Sequence, residues 1–152
     1  MKYMNDSYSK ALIRSSIHGG RCVAYGRVFN DSDNPLIPFD ANSLYPTAME
    51  GIEQFPDIMS AVKLDSASNY LDYPFYIINC DVELPKHLRF VPVCNKKEND
   101  KSCYYNTGTL INQSYNNVDI EEIIKVGGRV IKIHHGIGFK YGIANPFSHF
   151  VR

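Results

Sequence analysis

Ten consecutive residues free of glycine and proline, Phe75–Leu84, are rich in β-branched and aromatic side chains. Such a run favours extended backbone. An extended segment of that length, roughly 33 Å, leaves a row of amides and carbonyls that must find partners. The sequence after it offers several. Residues 89–94 read as another strand, residues 104–113 as a hairpin, and the alternating residues 130–134 as a strand returning to the sheet. Residues 117–126 place apolar side chains at 120, 123, 124 and 126, with acids in the first turn and Gly127-Gly128 behind. That is the pattern of a short helix with a glycine stop. The expected fold class is α+β, an antiparallel sheet with short helices packed on it.

The part of the chain before residue 52 is organised differently. A short helix is expected over residues 9–15, followed by Gly19-Gly20. Residues 21–28 alternate with a period of two and read as a strand with one buried face. Residues 30–35 are dense in turn formers and read as a hairpin loop, with residues 36–41 as the returning strand. Asn42 or Ser43 can then cap a helix running through Met49, and Pro46 is tolerated in its first turn. No internal repeat or low-complexity tract interrupts the chain.

Composition excludes some classes. At 152 residues with 44% apolar and 21% charged residues, the chain has the balance of a globular domain with a core, not of a disordered one. Sixteen Lys and Arg offset sixteen Asp and Glu, which argues against a dedicated DNA-coating protein. Cys22, Cys80, Cys94 and Cys103 include no closely spaced pair, so free thiols in a reducing compartment are favoured over a zinc site with His87. No apolar run approaches the roughly 18 residues of a membrane span, and residues 1–10 lack the apolar core of a signal peptide. An intracellular protein without membrane partners is expected.

The stretch that carries chemistry is Phe39-Asp40-Ala41-Asn42-Ser43-Leu44-Tyr45-Pro46. An acid at the end of an apolar strand, followed at once by a helix start, offers a hard oxygen to a divalent cation. The free N–H groups of the next turn would point at phosphates on the same side. From geometry alone, an Asp at such a junction is more often just a cap.

The motif Asp40-Ala41-Asn42-Ser43-Leu44-Tyr45-Pro46 resembles motif A of family-B DNA polymerases, Asp-x-x-Ser-Leu-Tyr-Pro. About twenty residues upstream, Ile17-His18-Gly19-Gly20-Arg21 resembles the Gly-Gly motif that links exonuclease and palm in these enzymes. The version here is most similar to the protein-primed branch of phages, linear plasmids and large DNA viruses. That branch inserts a module after motif A, terminal protein region one. Residues 90–93, 104–108, 117–121 and 130–133 resemble its strand, hairpin, helix and final strand. The likeness implies an N-terminal extension (residues 1–14), a partial palm with motif A (15–55) and the inserted module (56–152).

The resemblance also implies roles. Asp40 matches the carboxylate that binds catalytic Mg²⁺, and Ala41 the position whose carbonyl is a further metal ligand. Ser43 and Leu44 match positions whose amides approach the incoming deoxynucleoside triphosphate. Tyr45 matches the steric gate against ribonucleotides. Gly19 and Gly20 match a turn on the template strand of a DNA primer–template, with Arg21 a phosphate partner. His18 departs from the aromatic more often found there. A second carboxylate motif is also needed for two-metal phosphoryl transfer, and no Asp-x-Asp follows Asp40.

The expected function is therefore a fragment or truncated homologue of a viral or plasmid-type protein-primed DNA polymerase, inactive alone and in need of its missing segments or a terminal protein. The alternative is a non-catalytic DNA- or protein-binding module derived from one. A chance match in an unrelated metal-dependent phosphotransferase would require a complete ligand set, which the sequence does not show. The host cytoplasm or a viral factory is expected over the mitochondrion. Lys96, Lys97 and Lys101 read either as a solvated loop or as contacts to duplex phosphates or the priming protein. The eleven tyrosines are more often sheet packing than stacking platforms for single strands. His134-His135 are expected to be structural or solvent-facing, and Asp119, Glu121 and Glu122 to complement a helix N-terminus without a catalytic role.

Overall fold

Phe75–Leu84 forms strand β3, and both of its faces are covered. The computed structural model describes residues 6–21, 32–33, 35–96 and 102–148. Its elements in chain order are α1 (Ser7–Ser16), α2 (Leu44–Glu50), β1 (Gln54–Pro56), β2 (Ala61–Leu64), β3, β4 (Asn95–Lys96), β5 (Cys103–Tyr104), β6 (Gly108–Asn116), α3 (Asn117–Lys125), β7 (Arg129–Phe139) and β8 (Gly142–Ala144), with two short 3₁₀ turns at Ile58–Ser60 and Tyr70–Asp72. The main sheet is antiparallel in the order β2-β7-β3-β6, and β1–β8 and β4–β5 are separate two-stranded ribbons.

Alternation along β3 decides the layering. Its even residues Tyr76, Ile78, Cys80, Val82 and Leu84 are buried against Ile120 and Ile123 of α3. Its odd residues Phe75 and Ile77 join Ile137 and Phe139 of β7 under Leu12 of α1. Farther along the strand the odd positions turn polar and pair across it. Asn79 donates to Ser114 Oγ (3.2 Å), Asp81 meets His134 Nε2 (2.8 Å), and Glu83 takes the Arg129 guanidinium (2.7 Å). The register slips between Cys80 and Val82, where Asn112 adopts φ 55° and its N–H donates to Asp81 Oδ1 (2.8 Å). Asp81 thus holds the bulge that carries β6 past β3. In β7, a Cβ at Gly138 would lie 2.6 Å from the Tyr73 ring, so only glycine admits that ring.

The helices end where their chemistry says they should. Asp6 caps α1 by accepting from Ser9 N–H (2.6 Å). Asn116 and Asp119 form a reciprocal capping box at the start of α3. Gly127, at φ 84°, closes it: Gly127 N–H bonds Ile124 O (2.9 Å) and Gly128 N–H bonds Ile123 O (2.8 Å).

The α+β class, the helices at 9–15 and 117–126 and the strands at 75–84 and 130–134 hold. Three expectations are corrected. Residues 89–94 form bends, not a strand: Pro92 lacks the ladder N–H, and Val93 and Cys94 reach the core from irregular backbone. Residues 104–113 are not one hairpin, because β5 pairs with β4 while β6 pairs with β3. Residues 36–41 belong to no ladder and are exposed. Their expected partner at 21–28 falls, after Arg21, outside the described residues, as does most of the expected loop at 30–35. Among the described residues no helix is long and apolar enough to cross a membrane.

Ile123→Ala empties a fully buried site under the sheet and is expected to cost about 2–5 kcal/mol. Val118→Ala, on the exposed face of the same helix, should stay within about 0.5 kcal/mol. Urea denaturation of the two variants checks the placement of α3.

Candidate functional site

Motif A lies open on the surface. Residues 36–45 are all exposed, including Leu36, Ile37, Phe39, Leu44 and Tyr45. An apolar run of this kind on a surface marks a face that something else covers. Asp40 makes no hydrogen bond or ion pair with the described residues, so both its carboxylate oxygens are open to a ligand. Ser43 occupies the N-cap position of α2 at φ 57°, but its side chain caps nothing. The expected Asn42 or Ser43 side-chain cap is therefore absent, and the turn is closed by Thr47 instead. Thr47 N–H and Oγ1 both donate to Ser43 O (3.0 and 2.9 Å). A non-glycine residue in the left-handed region is strained. With no side-chain cap on α2, the first-turn amides, Leu44 N–H among them, have no side-chain acceptor. Pro46 sits in that turn, where its missing N–H costs nothing.

The far end of α2 is fastened. Asn145 Nδ2 donates to Met49 O (2.8 Å) and Glu50 O (3.1 Å), while Asn145 Oδ1 accepts from Phe147 N–H (2.8 Å). Phe147 in turn meets the Phe55 ring edge-on at 5.3 Å. Motif A is thus anchored at its helix C-terminus and left open at Asp40.

The Gly-Gly linker is held from a different side. Gly19, Gly20 and Arg21 are exposed. Before them, Lys96 Nζ donates to Ile17 O (2.8 Å) and approaches Ser15 O (3.5 Å). The His18 ring packs 5.8 Å from that of Tyr115. After them, the Arg21 guanidinium lies over the Tyr105 ring at 4.9 Å. No hydrogen bond or ring contact joins residues 19–21 to residues 40–45 among the described residues. Lys97 and Lys101 lie outside them. His134 and His135 are structural, the first on Asp81 and the second on the Tyr8 ring at 5.2 Å. Lys96, Tyr105, Tyr115 and Asn145 were not singled out from sequence as linker or helix contacts. Their partners lie tens of residues away, and no local pattern signals them.

Burial sets the protonation of the linker's surroundings. It pushes His18 below the usual histidine value, helped by the Lys96 charge and opposed by Asp119. Burial also raises Asp119 above the usual carboxylate range, against the Asn116 N–H and His18. The Cys94 thiol is pushed up to about 12, first by burial and then by a hydrogen bond with the free Cys103 thiol. Among the described residues no three His, Cys, Asp or Glu gather to hold a metal. Asp40 fits one hard-oxygen ligand of a divalent cation, and a complete two-metal clamp needs carboxylates beyond it.

Comparison with known proteins decides the family. Residues 3–152 match the family described as DNA polymerase type B, organellar and viral. The chain belongs to this family. Its fold is similar to Phi29 DNA polymerase in an orthorhombic crystal form, with TM-score 0.52 and 22% identity over 74% of this chain. It is likewise similar to Phi29 DNA polymerase complexed with primer-template DNA and incoming nucleotide substrates, with TM-score 0.51 and 22% identity. The chain covers 20% of that protein, so this type B polymerase homologue is a partial one. No curated protein sequence matches it.

The histidine shift has a checkable sign. His18 is lowered in the folded state, so its contribution to stability is full above its ordinary value of 6.5 and is lost as pH falls through the folded value. His135 is lowered by burial in the same sense. The melting temperature should fall from about pH 7.5 to about pH 5. His18→Phe, which keeps a ring on Tyr115, should flatten that slope in a calorimetric pH series.

Proposed function

We propose that this chain is the motif A segment of a protein-primed DNA polymerase, and that it does not synthesise DNA alone. One observation carries the reading. Motif A presents a free Asp40 carboxylate and an open helix N-terminus on a face whose apolar residues 36–45 are uncovered. Such a face suits a palm completed by further polymerase segments. Family membership and the likeness to Phi29 DNA polymerase, which has been seen with primer–template DNA and nucleotides, support it.

In the complete enzyme, bound Mg²⁺ would neutralise the triphosphate and activate the primer hydroxyl. Asp40 and the Ala41 carbonyl would hold it. The Ser43 and Leu44 amides would receive phosphate oxygens, helped by the left-handed Ser43 turn, which leaves those amides uncapped. Tyr45, 82% exposed, is free to lie against a sugar and reject a 2′-hydroxyl. Gly19, Gly20 and Arg21 would meet the template strand. The partners are then the DNA primer–template, deoxynucleoside triphosphates, and a terminal protein or the remaining polymerase segments. The setting is intracellular, the host cytoplasm or a viral factory. A second reading, a binding module without catalysis, is favoured by the sealed core between α1, the sheet and α3, which needs nothing from motif A.

Titration of the purified chain with a fluorescent primer–template duplex, across salt and with or without Mg²⁺, tests the proposal. Salt-sensitive binding in the micromolar range is expected, with a Mg²⁺-dependent part that Asp40→Ala removes. Absence of binding at low salt sinks the DNA-facing reading. Primer extension by the chain alone refutes its dependence on further segments.

A further inference from the structure

Gly19 and Gly20 have nothing of their own to hold them. A Cβ built on either would meet no atom within 4 Å, so this irregular linker segment takes its position from the residues around it. Those residues come from the inserted module. Lys96 is fixed first through its backbone: its N–H donates to Gln113 Oε1 (2.8 Å), and Gln113 Nε2 donates back to Lys96 O (3.0 Å). Gln113 is itself buried in β6 and donates to Ile111 O (2.7 Å). The Lys96 ammonium then takes the carbonyls of Ile17 and Ser15 at the end of α1. A cation there satisfies helix-end carbonyls and complements the helix dipole. An ammonium already shared by two carbonyls is poorly placed to serve as a phosphate contact as well.

We propose that Lys96 is a positioning residue for the Gly19–Gly20 linker segment, through which the inserted module sets the template-side contact. The His18–Tyr115 and Arg21–Tyr105 ring contacts flank the segment but leave the Ile17 carbonyl, two residues before it, to Lys96. The effect on DNA rests on the proposed template role of the glycines, whereas the effect on the segment does not.

The test uses the full chain labelled with ¹⁵N-glycine, together with the duplex titration. Lys96→Met should move the Gly19 and Gly20 amide resonances while those of Gly127, Gly136 and Gly138 stay in place and report an intact sheet. Primer–template affinity should fall about ten-fold, the scale of one charge-assisted hydrogen bond, with the salt slope unchanged. Lys96→Arg should restore both readouts. Gln113→Ala, which keeps the Lys96 charge but frees its backbone, should shift the same two glycines. Unmoved Gly19 and Gly20 resonances in both Lys96→Met and Gln113→Ala overturn the proposal. So does a salt slope lower by about 0.9, the signature of a lost direct phosphate contact. If the unaltered chain binds no primer–template, the functional reading fails, and the glycine resonances still decide the positioning.

Discussion

Burial of β3 on both faces is the constraint from which the other placements follow. Its even side chains require α3, and Phe75 and Ile77 require α1. Within the sheet β3 lies between β7 and β6, which satisfy its backbone on both edges. Once β6 is fixed, the bulge at Asn112, held by Asp81, sets where Gln113 points. Gln113 binds the Lys96 backbone, and Lys96 binds the carbonyls before Gly19-Gly20. A packing decision at the centre of the sheet thus reaches a surface linker through three hydrogen-bonded steps, Asp81 to Asn112, Gln113 to Lys96 and Lys96 to Ile17.

Motif A lies outside this chain of dependence. Asn145 and the Phe55–Phe147 contact secure the end of α2, but nothing among the described residues packs over Asp40 or Tyr45. The contrast between a sealed module and an uncovered motif separates what the chain stabilises internally from what it presents. In the proposed role, a carboxylate that receives a cation would be poorly served by an internal partner, because breaking that pair would offset part of the binding.

Legibility in the sequence followed the range of the interaction. Phe75–Leu84 and the helix stopped by Gly127-Gly128 are local patterns, and both were readable, whereas the Asn116–Asp119 capping box was not named. Residues 36–41 carry the apolar pattern of a strand yet join no ladder, since a pattern states a preference and pairing needs a neighbour in space. Residues 89–94 show the converse: Val93 and Cys94 are buried without strand geometry, with Pro92 denying the ladder its donor. The expected hairpin at 104–113 failed at Gly108, whose φ of 86° turns the chain from one ribbon to another sheet. In the candidate site, Asp40, Tyr45, Gly19 and Gly20 were named from the motifs. Lys96, read as a loop cation, was not seen as a linker contact, because its acceptors lie 79 and 81 residues away.

The sequence by itself therefore determined the α+β class, the central strand, the glycine-stopped helix α3 and the family, because each is written in short-range periodicity or in a contiguous motif. Tertiary structure alone decided the strand order, the bulge at Asp81, the open setting of residues 36–45 and the grip of Lys96 on the carbonyls before Gly19-Gly20. Those depend on which distant side chains meet. Hydrogen bonds such as that from Lys96 to Ile17 exist only once the fold has brought together residues 79 positions apart in the chain.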